Sequence, residues 1–172
     1  MASLISGYAA VFNRDTVIGG EFRERISPHA FDRTLRENPD VVALLDHDTG
    51  RVLGRTSAGT LKLRPDRIGL HFTIDVDDTT PEGQSALGTV GRGDIKGMSF
   101  GFRVRAEEWH DGGHRLPLRV ITDCDLFEVT ATAFPAYPET SVAVVPNNAR
   151  NARSRIASKR RAEAAMRARG LL

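Results

Sequence analysis

The chain has 172 residues, 40% hydrophobic and 27% charged, a size and balance that suit one soluble domain plus a tail. No apolar run is long enough to span a membrane, the N-terminus lacks the basic segment of a signal peptide, and a single cysteine excludes an intrachain disulfide and fits a cytosolic setting. The net charge of +2 hides an asymmetry: residues 150–172 hold eight basic side chains and one acidic, so the rest of the chain is acidic and the tail reads as having a partner of its own.

In chain order, residues 4–12 read as a strand and 13–20 as a polar, glycine-ended loop. Residues 21–26 read as a second strand. Ser27-Pro28 supplies an N-cap and a first-turn proline for a short helix to about Glu37, stopped by Asn38-Pro39. Residues 41–47 form a buried strand closed by the turn residues Asp48-Thr49-Gly50. Residues 60–63 and 68–75 pair as a hairpin around Pro65-Asp66. Thr80-Pro81-Glu82 opens a second helix that ends in the glycine-rich stretch 88–93. A long strand spans 95–109, turns at Asp111-Gly112-Gly113 and returns through Val120; 125–134 is a further strand and 141–145 a last short one. Many strands with two short helices predict a mainly β fold, a β-barrel or sandwich with a few covering helices. The domain boundary falls at 146: a folded body over 1–146 and a basic, Ala/Arg-rich tail over 147–172 that is mobile or ordered by a partner.

Two stretches carry the chemistry. In GMSFGF, alternation sends Met98, Phe100, Phe102 and Val104 to a core and leaves Ser99 on the opposite face between Gly97 and Gly101. That pattern predicts open space around a serine hydroxyl. In VVALLDHD, His47 ends an apolar strand. Serine attacks a carbonyl only when a base takes its proton, histidine is the usual base, and a carboxylate commonly orients the imidazole. Glu128, in LFEVTATAF, is the best third member. Alternation places it with Leu126, Thr130 and Thr132, opposite a core face of Phe127, Val129, Ala131 and Ala133, and glutamate is depleted in strands. Asp46, Asp48, Asp75 and Asp77 are rival carboxylates; Asp46, a sequence neighbour in a strand, points away from His47. Taken singly, each of the three has a bland reading, as packing serine, strand-end histidine or exterior glutamate. Together they suggest a hydrolase.

Other signals are weaker. Cys124 is a poor nucleophile between Asp123 and Asp125, whose charge disfavours the thiolate. His110 and His114 straddle the hairpin turn, and two ligands without a third make no metal site. His71 reads as a strand histidine and His29 as a helix-capping or solvent-facing one. Arg103 shares the face of Ser99 and reads as a solvated strand arginine.

The order GYAAVFN, ERISPHAFDRTL, ALLDHD with VLGRT, KGMSFGF and LFEVTATAFPAYPETSV resembles the prohead proteases of tailed bacteriophages, the Hong Kong 97-type maturation proteases, over roughly residues 4–145. The resemblance implies a closed β-barrel ringed by helices, as in the herpesvirus capsid assembly protease. It implies a serine endopeptidase without cofactor or metal, acting in the host cytoplasm within the phage procapsid. Its substrates would be the scaffold portion of the major capsid protein and the protease itself. Carried over by motif, Ser99 is the nucleophile, His47 the base and Glu128 the acidic member. The herpesvirus enzymes use a second histidine there; no histidine follows Ser99 in the matching strand here. Those enzymes also require dimerisation, which raises a homo-oligomer for this chain. Gly88 to Gly93 is a candidate source of oxyanion donors. The competing expectation is a non-catalytic barrel that binds scaffold or nucleic acid through its basic tail. A nucleic-acid role as the main function conflicts with the acidic body, and no membrane role is implied.

Overall fold

The computed structural model describes residues 3–37 and 39–145, together with Glu163, Ala164 and Arg167, which are helical. The expected tail at 147–172 otherwise lies outside the described residues. Within residues 3–145, ten strands and two helices are described, in order: β1 (Ser3–Val11), β2 (Thr16–Ile18), β3 (Phe22–Ile26), α1 (Asp32–Arg36), β4 (Val42–Leu45), β5 (Asp48–Arg55), β6 (Leu61–Pro65), β7 (Gly69–Val76), α2 (Pro81–Arg92), β8 (Gly97–His110), β9 (Leu118–Thr132) and β10 (Ser141–Val145).

The strands form two sheets rather than the expected closed barrel. One runs β10-β1-β7-β6; the other runs β2-β3-β9-β4-β5, with β8 also paired to β9. Strands β1 and β8 come close, and no ladder joins the two sheets among the described residues. One core serves both. It takes Ile5, Phe72 and Ile74 from the first sheet, Met98, Ile121 and Val129 from the second, Phe31 beside α1 and Ala86 from α2.

The frame of the second sheet is β9. Strand β8 lies antiparallel along its whole length. On the other side β3 pairs with residues 118–121 and β4 with residues 128–131, both parallel. The gap between them is covered by the chain around α1. The Cys124 N–H donates to the Ala30 carbonyl at 3.1 Å, and the Leu126 N–H donates to Thr34 Oγ1 at 3.2 Å. Arg33 donates to Asp123 Oδ2 at 2.8 Å and Asp125 Oδ1 at 2.6 Å. A short helix thus replaces a strand and satisfies backbone donors that would otherwise be buried unpaired.

Several elements differ from expectation. The loop at 13–20 contains β2, which pairs with β3. The first helix is shorter, with Phe31 at its N-cap position, after turns that include Ala30 N–H to Ser27 carbonyl at 3.1 Å. Asp48-Thr49-Gly50 opens β5 instead of closing a turn. The two strands expected on either side of residues 121–124 are one, because Asp123 and Asp125 are held by Arg33 and Arg105 rather than by solvent. The helix start at Thr80 is as expected: its hydroxyl accepts from the Gly83 N–H at 3.1 Å, with Pro81 in the first turn.

Phe127 also departs from the alternation. Gly101 pairs with Glu128 and Phe102 with Leu126, so Phe127 is an extra residue in β9, a β-bulge. Leu126 therefore joins Val129 in the core at 2% exposure, and Phe127 is 48% exposed. Substituting Thr34→Val keeps the volume and removes the acceptor for the buried Leu126 N–H. The expected cost is about 1–3 kcal/mol, read as a lower urea midpoint with an unchanged slope.

Candidate active site

Ser99 stands opposite Thr130 in the β8–β9 ladder, and Gly101 stands opposite Glu128. Direct cross-strand partners share a face, so Ser99, Gly101, Glu128 and Thr130 present one surface away from the core. The glycines have a different use from the one expected. A Cβ on Gly97 would lie 2.4 Å from Cγ of Pro135, and a Cβ on Gly101 would lie 2.6 Å from Cγ of Glu128. The space beside Ser99 is therefore occupied by the Pro135 ring on one side and the Glu128 side chain on the other. Ser99 itself is only 5% exposed.

His47 belongs to a tight turn rather than to the end of β4. Leu45 pairs with Asp48, and the two residues between them, Asp46 and His47, have φ of 57° and 58°. Two consecutive left-handed residues are what a two-residue I′ hairpin demands, and Asn-Gly usually supplies them. A histidine there is uncommon and locally strained. The strain is held by hydrogen bonds to β9. The Asp46 N–H donates to the Ala131 carbonyl at 2.9 Å, the His47 N–H to Thr130 Oγ1 at 2.9 Å, and Thr132 Oγ1 to Asp46 Oδ1 at 2.8 Å. Asp46 thus fastens the turn to the sheet and leaves the imidazole to another partner.

That partner is Glu128. His47 Nδ1 lies 2.6 Å from Glu128 Oε1, with the imidazole half-exposed and the carboxylate mostly covered. The Glu128 Oε2 atom is buried without a hydrogen-bond partner among the described residues. A carboxylate with one oxygen desolvated and the other on an imidazole nitrogen selects the tautomer protonated at Nδ1. Nε2 is then the basic nitrogen. The unbroken β8–β9 register from Ser99 to Gly101 sets this arrangement by keeping Glu128 on the face of Thr130.

The remaining residues singled out in the sequence lie elsewhere or are otherwise engaged. Burial pushes the Cys124 thiol up to about 12, with Asp123 and Asp125 adding to it, so this cysteine is inert. His71 Nε2 contacts Ser6 Oγ at 3.1 Å, but that hydroxyl donates to the Phe72 carbonyl and is not poised for attack. His29 pairs with Asp32 at 2.8 Å. His110 sits 3.7 Å from Glu108, and no group of three or more metal-ligating side chains occurs among the described residues. Arg103 is exposed and lies over the Phe127 ring at 5.5 Å. Asp48 and Asp77 bond to their own turns through Gly50 and Thr79. The glycine-rich stretch 88–93 is the last turn of α2 and its left-handed cap, and the Gly93 N–H donates to the Val90 carbonyl. Helical bonding uses these N–H groups, which removes them as oxyanion donors. Sequence reasoning missed Thr130, Thr132 and Pro135; only their positions opposite or beyond the serine strand could have pointed to them.

Comparison with known proteins agrees with this architecture. No curated protein sequence matches the chain. The protease of varicella-zoster virus is similar in fold, with a TM-score of 0.50 and 14% identity over 84% of this chain. The match spans 64% of that longer structure. The family model of caudovirus prohead serine proteases matches residues 1–155. With a matching model over most of its length, the chain belongs to the caudovirus prohead serine protease family.

Proposed function

We propose that this chain is an endopeptidase of procapsid maturation that cleaves the scaffold portion of a phage capsid protein and also itself, with Ser99 as nucleophile, His47 as general base and Glu128 as the orienting acid. The observation that carries the reading is the 2.6 Å contact between His47 Nδ1 and Glu128 Oε1, made on the face that also carries Ser99. Family membership supports the substrate class. The fold likeness to a herpesvirus protease supports the scaffold on which the site is built.

The chemistry is acyl transfer. Ser99 Oγ attacks the peptide carbonyl while Nε2 of His47 takes its proton. Glu128 holds the Nδ1–H and stabilises the imidazolium that forms. His47 next returns the proton to the leaving amine. A water activated by the same nitrogen then releases the acyl group from Ser99. Backbone N–H groups stabilise the tetrahedral oxyanion.

The test is co-expression with the cognate capsid protein, recording intact masses of both chains. Wild type is expected to shorten the capsid protein and itself, and Ser99→Ala to leave both at full length. Cleavage by Ser99→Ala would remove this serine as nucleophile. His47→Ala should slow cleavage by about 10²–10⁴-fold, the usual contribution of a general base. Gly101→Ala separates site geometry from folding. The new Cβ must push Glu128 aside, so turnover should fall far more than thermal stability, with KM little changed.

A further inference from the structure

The PAYPET loop at residues 135–140 follows β9 and has no role in the chemistry above, yet it grips the nucleophile strand at three successive points. Pro135 fills the space over Gly97. Thr140, fully buried, accepts from the Met98 N–H at 2.9 Å and has its hydroxyl 2.7 Å from the Met98 carbonyl. Tyr137 stacks on Phe100, with centroids 5.1 Å apart and planes 18° apart. These contacts fall on residues 97, 98 and 100, which bracket Ser99.

The Thr140 hydroxyl is unusual in what it replaces. Both backbone polar groups of Met98 turn toward the edge of β8 away from β9, where a further strand would pair. One hydroxyl satisfies both, standing in for a neighbouring strand at the residue before the serine. It also lies 2.9 Å from the Tyr137 carbonyl, which closes the loop on itself. Tyr137 is anchored below. Its hydroxyl bonds Glu24, a buried carboxylate on β3 that also accepts from Arg119 at 3.1 Å. Burial, with Glu24 adding to it, raises the tyrosine pKa, which keeps the phenol a donor. The loop is thereby tied to β3 and β9 at one end and to β8 at the other.

We infer that Thr140 is a positioning residue for Ser99: its hydroxyl fixes the β8 backbone at Met98, and Tyr137, anchored on Glu24, fixes the strand at Phe100. This inference rests on the reading of Ser99 as nucleophile. A hydroxyl oxygen held from both sides stays in line with a base on the neighbouring turn, and misplacement of about 1 Å can cost about 10²-fold in rate.

The experiment compares wild type, Thr140→Val and Thr140→Ser in two measurements. One is the rate of Ser99 labelling by a fluorophosphonate probe. The other is amide hydrogen exchange of a peptide spanning residues 97–101. Thr56→Val serves as a stability control, because the Thr56 hydroxyl accepts from the Val41 N–H at 2.8 Å and donates to the Pro39 carbonyl, ahead of β4 and outside β8 and the loop. Thr140→Val should slow labelling by about 10²-fold and raise exchange at Met98. Thr140→Ser should restore both, and Thr56→Val should lower the melting temperature without slowing labelling. If Thr140→Val folds poorly, Thr140→Ala replaces it. Wild-type labelling and exchange in the variant lacking the hydroxyl would overturn the inference, as would equal slowing in Thr56→Val. Exchange that depends on the hydroxyl, in a wild type that never labels, would support the positioning role and defeat the protease reading instead.

Discussion

The register of β8 against β9 is the constraint on which the molecule depends. It sets Ser99 opposite Thr130 and Gly101 opposite Glu128, and so decides that Ser99 and Glu128 share a face. A slip of one residue would reverse every side chain on the moving strand. Apolar pairing guards against that slip. Met98 meets Ala131 and Phe100 meets Val129, and all four are buried. The Phe127 bulge lets the same strand keep Leu126 and Cys124 in the core beyond Glu128, so this carboxylate does not cost the core its continuity.

Around that ladder the backbone bears strain at one place and is relieved at others. Asp46 and His47 stand in a conformation that glycine prefers, and three hydrogen bonds from β9 hold them there. Elsewhere, side chains substitute for missing strand partners: Thr34 beside Leu126 and Thr140 beside Met98. Threonine suits this duty. Its hydroxyl can both donate and accept, as Thr140 does at Met98.

Much of this was legible from composition and period. The apolar face of Met98 and Phe100, the cap at Thr80 and the isolation of Glu128 among strand residues all follow local rules that the fold respects. What escaped depends on distant partners. Phe127 looked like a core residue because alternation cannot register an extra residue whose effect appears only against β8. Residues 48–50 carried turn composition, but the turn had already been made by Asp46 and His47. Asp123 and Asp125 suggested a break in β9, yet Arg33, some ninety residues earlier, neutralises them within the sheet. The glycines beside Ser99 are visible in the sequence, but their use is not, since only the folded chain brings Pro135 and Glu128 against them.

The order in which these parts occur along the chain has a kinetic consequence. β3 and β4 have local partners in β2 and β5, but the two hairpins join one sheet only through β9, in ladders whose partners all lie more than eighty positions apart. Such non-local pairing makes folding slow and leaves the central sheet incomplete while synthesis proceeds from the N-terminus. His47 and Ser99 emerge from the ribosome first, in a sheet lacking its central strand, and Glu128 arrives with that strand. A nascent chain ending before β9 therefore holds two of the three groups without the surface that aligns them. Assembly of the site is thus a late event in biosynthesis, timed by topology alone.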